Sequence, residues 1–138
     1  LDDVLNVSGH RMSTIEIESA LVSHPSVGEA GVTAVGDPVT GHAIAAFVVA
    51  SGASDLSAAE LRAHVAREIG PIAKPKHLLV VPELPKTRSG KILRRLLAQL
   101  WEAEQDRRAG REPGGLGDTT ALQNPWAVDD IASALASA

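Results

Sequence analysis

The feature that most constrains the fold is an uninterrupted apolar run, AIAAFVVA, at residues 43–50. It is far shorter than the roughly 18–20 apolar residues that a membrane-spanning helix needs. A strand that lacks polar alternation is buried on both of its faces. We therefore expect this segment to pair, antiparallel to the strand before it, in a small sheet that helices cover.

Shorter patterns on either side predict the other elements. Ser13-Thr14-Ile15-Glu16 is a capping-box sequence, which favours a helix that begins there and ends near His24. The expected strands lie within residues 4–12, 27–35, 43–50 and 77–81, and the expected helices at about 13–24, 57–68, 91–108 and 128–136. This order predicts an α+β fold, a small mixed and mainly antiparallel sheet covered by helices.

Composition excludes several classes of function. The chain has no cysteine, so disulfides, a thiol nucleophile and thiolate metal sites are all excluded. Its aromatic residues are one phenylalanine and two tryptophans, too few for a base-stacking nucleic-acid surface. No basic-then-apolar leader and no spanning segment is visible. We expect a cytoplasmic protein with no nucleic-acid partner and no membrane partner.

Charge is concentrated in one place. The formal net charge is −4, yet five of the 13 basic residues fall within residues 86–95, where no acidic residue occurs. We call Lys86, Arg88, Lys91, Arg94 and Arg95 the cationic cluster. A local cationic patch on an acidic chain indicates one anionic partner group, and the alternative is a solvated helix face. The apolar spacing that follows places the cluster on the exposed face and leading edge of an amphipathic helix.

Lys91 is the most informative member of this cluster, because it follows Gly90 in the sequence PKTRSGK. A lysine ammonium is a compact charge that suits phosphate or carboxylate oxygens. The sequence is not a nucleotide-binding P-loop, since Pro85 stands where that motif needs glycine and Ile92 replaces its hydroxyl residue. No nucleophile–base set and no metal-binding histidine spacing is present. The chain therefore predicts part of an active site, with an anion-binding lysine.

Longer stretches resemble a known family. LDDVLNVSGHRMSTIEIESALVSHPSVGEAGV, EIGPIAKP, PKTRSGKILRRLL and GDTTALQNP resemble the C-terminal domain of the adenylate-forming acyl-CoA synthetases, luciferases and peptide-synthetase adenylation domains. The likeness extends to about Pro125, and GHR with GDTTAL favours the acetyl branch, and next the propionyl branch, over the long-chain and aryl ligases. It implies a hinge at residues 1–3, a mobile catalytic domain at 4–109 and a surface or flexible tail at 110–138. A larger N-terminal domain is expected to precede the chain.

The resemblance implies a ligase reaction in two steps. Acetate and ATP give acetyl-adenylate and pyrophosphate, and CoA then displaces AMP to give acetyl-CoA, with Mg²⁺ as the metal of the full enzyme. The C-terminal domain rotates between the two steps, so this fragment alone is expected to be inactive. The alternatives are a propionyl- or other short-chain acyl-CoA synthetase domain, or an isolated domain that serves as a protein acetyltransferase substrate.

Individual residues match positions of the family's motifs. Lys91 matches the adenylation lysine, which is also a target of protein acetyltransferases and deacylases. Asp2 matches the hinge. Ser8 and Gly9 match CoA-binding positions, and Arg11 matches a residue that reaches the nucleotide phosphate of ATP or AMP.

Two further matches are looser. The family carries an arginine for the CoA phosphate where this chain has Ala66, and Arg67 stands one position later. Val22, His24 and Val27 match a loop that binds a cation, partly through carbonyl oxygens. The resemblance thus implies a weak CoA contact at Arg67 and a metal site at this loop.

Overall fold

The computed structural model describes residues 4–52 and 55–138, so the predicted hinge residue Asp2 lies outside the described residues. The strands are β1 (Val4–Val7), β2 (His10–Ser13), β3 (Val27–Asp37), β4 (Gly41–Ala50) and β5 (His77–Val80). The helices are α1 (Thr14–Val22), α2 (Ala58–Glu68), α3 (Arg94–Arg108) and α4 (Trp126–Ser137), with a short 3₁₀ turn at Pro71–Ala73. The predicted α+β class is confirmed.

The sheet is built around β4, which contains the apolar run. Along one edge β4 pairs antiparallel with β3, from Val27 opposite Ala50 to Asp37 opposite Gly41. Its other edge pairs with β1 near Gly41 and, in parallel, with β5. The hairpin of β1 and β2 completes the mixed sheet of five strands.

Alternate residues of β4 face two separate cores, which explains why the run shows no polar alternation. Successive strand residues point to opposite faces of a sheet. One face packs under α1 and α2, with a core that includes Leu5, Ile17, Leu21, Ile44, Ala46, Val48, Leu61 and Val65. The other packs under α3 and α4, with a core that includes Ala43, Ala45, Phe47, Leu84, Leu97, Leu100, Ile131 and Leu135.

Two sequence expectations about the N-terminal ends of helices differ from the structure, one for α1 and one for α3. Ser13 does occupy the N-cap of α1, but its side chain makes no capping hydrogen bond, so the capping-box contact is wrong. Ser13 is still the last residue of β2, paired with Val4. Helix α3 begins at Arg94 rather than near Lys91, because residues 86 and 92 are joined by an antiparallel bridge that keeps this segment extended.

Residues 110–138, expected to form a surface or flexible tail, include a packed helix. Ala127, Ile131 and Leu135 recur at four-residue spacing on α4, and all three are buried. This spacing gives α4 one apolar face, which lies against α3. The apolar face of α4 is therefore part of the second core. Within residues 4–52 and 55–138, no helix is both long and apolar enough to cross a bilayer.

Candidate anion-binding site

Lys91 lies in a tight hairpin, residues 86–92, which we call the Lys91 loop. The Thr87 N–H donates to the Lys91 carbonyl at 2.9 Å, and the Lys91 N–H donates to the Thr87 hydroxyl at 3.1 Å. The Gly90 N–H donates to the Thr87 carbonyl at 2.9 Å. Gly90 has φ +89°, which glycine adopts without strain. The backbone is thus fixed, while the lysine side chain is exposed.

Three members of the cationic cluster are held by partners inside the fold. Arg94 donates through Nε and Nη2 to both carboxylate oxygens of Glu18, each at 2.6 Å. Lys86 forms an ion pair with Glu29. Arg95 donates to the main-chain carbonyl of Asp118, which lies in the GDTT sequence at residues 117–120. The prediction that the cluster forms one exposed helix face is therefore wrong, because the fold uses these charges for tertiary contacts.

The other two members of the cationic cluster are Arg88 and Lys91. The side chains of Arg88 and Lys91 are exposed and make no hydrogen bond or ion pair with any part of the chain that the structure describes. A lysine with no internal partner keeps all three of its N–H donors for an external anion. The geometry therefore leaves the Lys91 ammonium accessible to an external anion, and the anion-binding role stays a prediction.

A second candidate surface lies on the hairpin of β1 and β2. Ser8 and Gly9 form its two-residue turn, with φ +50° and +83°. The Ser8 N–H donates to the Thr40 carbonyl at 2.9 Å, which joins this turn to the turn between β3 and β4. A Cβ placed on Gly9 would meet no atom within 4 Å, so the positive φ and not crowding within the chain favours glycine. Arg11 is exposed on the same hairpin, opposite Asn6.

The turn that supports Ser8 is fixed by a carboxylate. Asp37 accepts from the Lys76 ammonium at 2.6 Å and from the main-chain N–H groups of Thr40 and Val39, both at 2.9 Å. Lys76 first, and then these amides, hold the pKa of Asp37 well below its usual range. The carboxylate therefore stays ionised and stabilises the turn that accepts from Ser8.

Arg67 lies in the last turn of α2, where it is exposed and makes no side-chain hydrogen bond or ion pair with the described residues. Ala66, at the position where the family has arginine, is half-buried. The structure therefore leaves the Arg67 guanidinium accessible to an anion. Its contact with CoA stays a prediction.

The loop matched to a cation site is engaged in other contacts. His24 Nδ1 accepts from the Ser26 N–H at 3.1 Å, and His24 Nε2 lies 3.3 Å from the Glu60 carboxylate. The His24 carbonyl accepts from the Val27 N–H at 3.1 Å. Val22 and Val27 could offer only their carbonyls, and the described residues contain no group of three His, Cys, Asp or Glu side chains suited to a metal. The donor set gives Mg²⁺ no support here, and the site stays a prediction.

A cleft of about 260 Å³ lies between β5, α3 and α4, and none of the predicted site residues lines it. Inside it His77 packs on Trp101, with the ring centroids 4.2 Å apart. Burial and then the Lys76 ammonium lower the pKa of His77. Arg62 donates to two main-chain carbonyls, and Arg108 pairs with a carboxylate of α3. The two arginine side chains that line the cleft are thus bound within the chain. We therefore regard the cleft as a feature of the packing and not as a binding site.

Sequence reasoning missed a segment that contacts the Lys91 loop. Leu122 forms an antiparallel bridge with Thr87, and the Gln123 N–H donates to the Lys86 carbonyl at 2.8 Å. The Asn124 side chain accepts from the Lys86 N–H at 2.9 Å. The dipeptide Asn124-Pro125 signals a turn but not which loop it meets, so only the folded chain reveals this contact.

A family comparison identifies the domain. A family model described as "AMP-binding enzyme C-terminal domain" matches residues 16–91, from α1 to Lys91 itself. The chain belongs to this family of AMP-binding enzyme C-terminal domains.

Proteins similar to this chain include several acyl-CoA synthetases. The acetyl-coenzyme A synthetase of Mycolicibacterium smegmatis is 54% identical over 135 residues, which cover 95% of this chain and 13% of that protein. That of Streptomyces coelicolor is 51% identical over 141 residues, covering 100% of this chain and 20% of that protein. The crystal structure of a Brucella canis acyl-CoA synthetase superposes with a TM-score of 0.68 at 42% identity, covering 71% of this chain and 19% of that one. The resemblance stated above is confirmed, and the chain spans a fifth or less of these relatives.

Proposed function

We propose that this chain is the C-terminal domain of an acetate–CoA ligase and that Lys91 supplies the positive charge for its first half-reaction. The exposed, unpartnered ammonium of Lys91 on a fixed hairpin carries the proposal. Relatives named acetyl-coenzyme A synthetase, at about half identity over nearly the whole chain, support the substrate.

In the first half-reaction a carboxylate oxygen of acetate attacks the α-phosphorus of ATP, and pyrophosphate leaves with the electrons of the broken P–O bond. Negative charge develops on the α-phosphate oxygens while the carboxylate approaches. The Lys91 ammonium donates hydrogen bonds to these oxygens and stabilises the transition state without transferring its proton. The bonds to Thr87 fix the lysine backbone, so its side chain is presented from a defined position.

In the second half-reaction the sulfur of CoA attacks the acetyl carbonyl, the bond from this carbon to the phosphate oxygen breaks, and AMP leaves with its electrons while the thiol proton passes to solvent. The hairpin of β1 and β2 presents Ser8 and Gly9 to the pantetheine arm, and the exposed Arg11 reaches the nucleotide phosphate. The absence of a side chain at Gly9 leaves open space in which an extended arm can approach the backbone. The resemblance to the adenylate-forming family implies that the domain reorients between the two steps about a hinge at Asp2, so that Lys91 and this hairpin serve different steps.

The proposal also includes the contacts that the whole enzyme would make with the CoA phosphate and with Mg²⁺. Arg67, exposed at the end of α2, offers a guanidinium to a CoA phosphate. ATP and CoA are substrates, and Mg²⁺ neutralises phosphate charge when it is bound. The donor set at Val22, His24 and Val27 gives this metal no support, so no step above depends on that loop.

Lys91 is also the proposed site of regulation by a protein acetyltransferase and a deacylase. Acetylation removes the charge and two of the three N–H donors, and it adds bulk. It should block adenylation and spare thioester formation from preformed acetyl-adenylate. If a stoichiometrically acetylated enzyme made acetyl-adenylate at the unmodified rate, regulation at this lysine would be refuted.

A chimera tests the proposed function. In it this chain replaces the corresponding segment of the Streptomyces coelicolor relative, and acetyl-CoA formation from acetate is measured. We expect Lys91→Ala to lower the rate by about 100-fold or more, the usual effect of removing a preorganised donor to developing charge. Arg88→Ala is the matched control, since it removes the other exposed cation of the cluster, and it should change the rate by less than about threefold. Equal effects of the two variants would contradict a specific role for Lys91 in the reaction.

A further inference from the structure

Asn124 is a buried polar residue that connects the end of the chain to the Lys91 loop. Only 6% of its surface is exposed. Its Oδ1 accepts from the Lys86 N–H at 2.9 Å, and its Nδ2 donates to the Leu84 carbonyl at 2.7 Å. We propose that Asn124 is a positioning residue for Lys91, an inference that rests on the proposed role of Lys91 in adenylation.

The contacts around Asn124 form a third strand-like segment beside the hairpin. The Gln123 N–H donates to the Lys86 carbonyl, and Leu122 bridges to Thr87. The side-chain amide of Asn124 then continues this pattern, since it offers one acceptor and one donor as a peptide group does. Residues 122–124, which we call the clamp, thus hold the first arm of the Lys91 loop along its length.

The clamp reaches Lys91 through Thr87. Thr87 makes both of the described hydrogen bonds that hold the Lys91 backbone, and it also bridges to Leu122 in the clamp. A small displacement of this arm would therefore move the base of the lysine side chain. Misplacement of a catalytic group by about 1 Å can cost about 100-fold in rate.

The clamp itself is anchored to a rigid element. The Asn124 carbonyl accepts from the Ala127 N–H at 3.0 Å at the start of α4. Ile131 and Leu135 of α4 are buried in the second core. A positioning group acts effectively only when its own position is locked by packing, and α4 meets this condition for Asn124.

The segment that carries the clamp lies beyond the family match. The model of the AMP-binding enzyme C-terminal domain matches residues 16–91 and stops before residue 122. The acetyl-coenzyme A synthetases of Mycolicibacterium smegmatis and Streptomyces coelicolor match 95% and 100% of the chain. Residues 86–91 of the Lys91 loop thus belong to the matched domain, and their support comes from a segment outside that match.

Half-reaction rates in the chimera separate positioning from general loss of structure. Asn124→Leu keeps the branching and the number of heavy atoms of the side chain and removes both side-chain hydrogen bonds, whereas Asp130→Ala changes an exposed residue of α4 and serves as the control. We expect Asn124→Leu to lower acetate-dependent ATP–pyrophosphate exchange by about tenfold or more and to leave thioester formation from acetyl-adenylate within about twofold. Asp130→Ala should change neither rate by more than about twofold. Equal losses in both half-reactions would overturn the positioning role.

Amide hydrogen exchange in the 138-residue chain gives an independent test of whether Asn124 holds the Lys91 loop in place. Asn124→Leu should speed exchange at the amides of Lys86 and Gly90 by about tenfold, and exchange in the middle of β4 should not change. Unchanged exchange in the Lys91 loop would contradict the inference even if the rates fell. If Lys91→Ala stops adenylation and Asn124→Leu leaves it intact, this inference fails while the proposed function stands. If Lys91→Ala leaves adenylation intact, the proposed function itself fails.

Discussion

Arg94 and Lys91 are close in the sequence, but the structure predicts opposite consequences when each is replaced by methionine. The Glu18 side chain is only 10% exposed, and its carboxylate accepts two hydrogen bonds from Arg94 at 2.6 Å and one from the Val32 N–H at 2.8 Å. Arg94→Met would leave this largely buried carboxylate with the single bond from Val32. Lys91→Met would remove a charge that has no partner within the described part of the chain.

The magnitude follows from the bonds that are lost. Two charge-assisted hydrogen bonds contribute about 1.5–3 kcal/mol each, and loss of one partner of a buried pair costs about 3–5 kcal/mol. The Arg94 side chain is 27% exposed, so water can reach the vacated side of the carboxylate and offset part of this loss. We expect Arg94→Met to lower the free energy of unfolding by about 2–4 kcal/mol. Lys91→Met should change it by less than about 0.5 kcal/mol.

Urea unfolding followed by far-ultraviolet circular dichroism measures both variants at the same pH and salt concentration. The double variant Glu18→Leu with Arg94→Met is the control, because it removes the stranded carboxylate and should recover part of the stability. The reasoning is refuted if Arg94→Met stays within about 0.5 kcal/mol of the unmodified chain, or if Lys91→Met is equally destabilising.

Three further predictions concern the second core and the hairpin turns. Ile131→Ala should lower the free energy of unfolding by about 2–5 kcal/mol because it leaves a cavity under α4, and a loss below about 0.5 kcal/mol in calorimetry would mean that α4 is not part of the core. Gly9→Ala should cost about 1–2 kcal/mol because of its positive φ, and Gly9→Asn should cost less in the same urea titration; equal costs would contradict a conformational origin. Asp37→Asn should destabilise the chain at pH 7, because the folded-state pKa of Asp37 is lowered. This contribution is complete above about pH 4, decreases below that value, and is gone once the pH has passed the lowered folded-state pKa, so a difference between the two proteins that stayed constant from pH 7 to pH 2 would exclude it.

The central strand and Lys91 were predictable because their signals are local. The apolar run at residues 43–50 predicts a strand that is buried on both faces, whichever elements cover it. In the structure β4 lies between two cores, as expected. Gly90 marks a turn next to Lys91 by its own conformational preference. Signals of this kind lie within a few consecutive residues, so they can be recognised without knowledge of the fold.

The partners of the cationic cluster could not be predicted, because they are remote in sequence. Arg94 meets Glu18 across 76 positions, and Lys86 meets Glu29 across 57. Such contacts leave no periodic pattern, so the cluster resembled a single exposed face. Asn124 was missed for the same reason, since its partner Lys86 lies 38 positions away.

The central claim is that the Lys91 charge serves adenylation and not thioester formation. The most direct test measures both half-reactions of the chimera with Lys91→Ala. We predict that ATP–pyrophosphate exchange falls by about 100-fold or more, while acetyl-CoA formation from acetyl-adenylate stays within about twofold of the unmodified chimera. Exchange at the unmodified rate, or an equal fall in both half-reactions, would contradict the account.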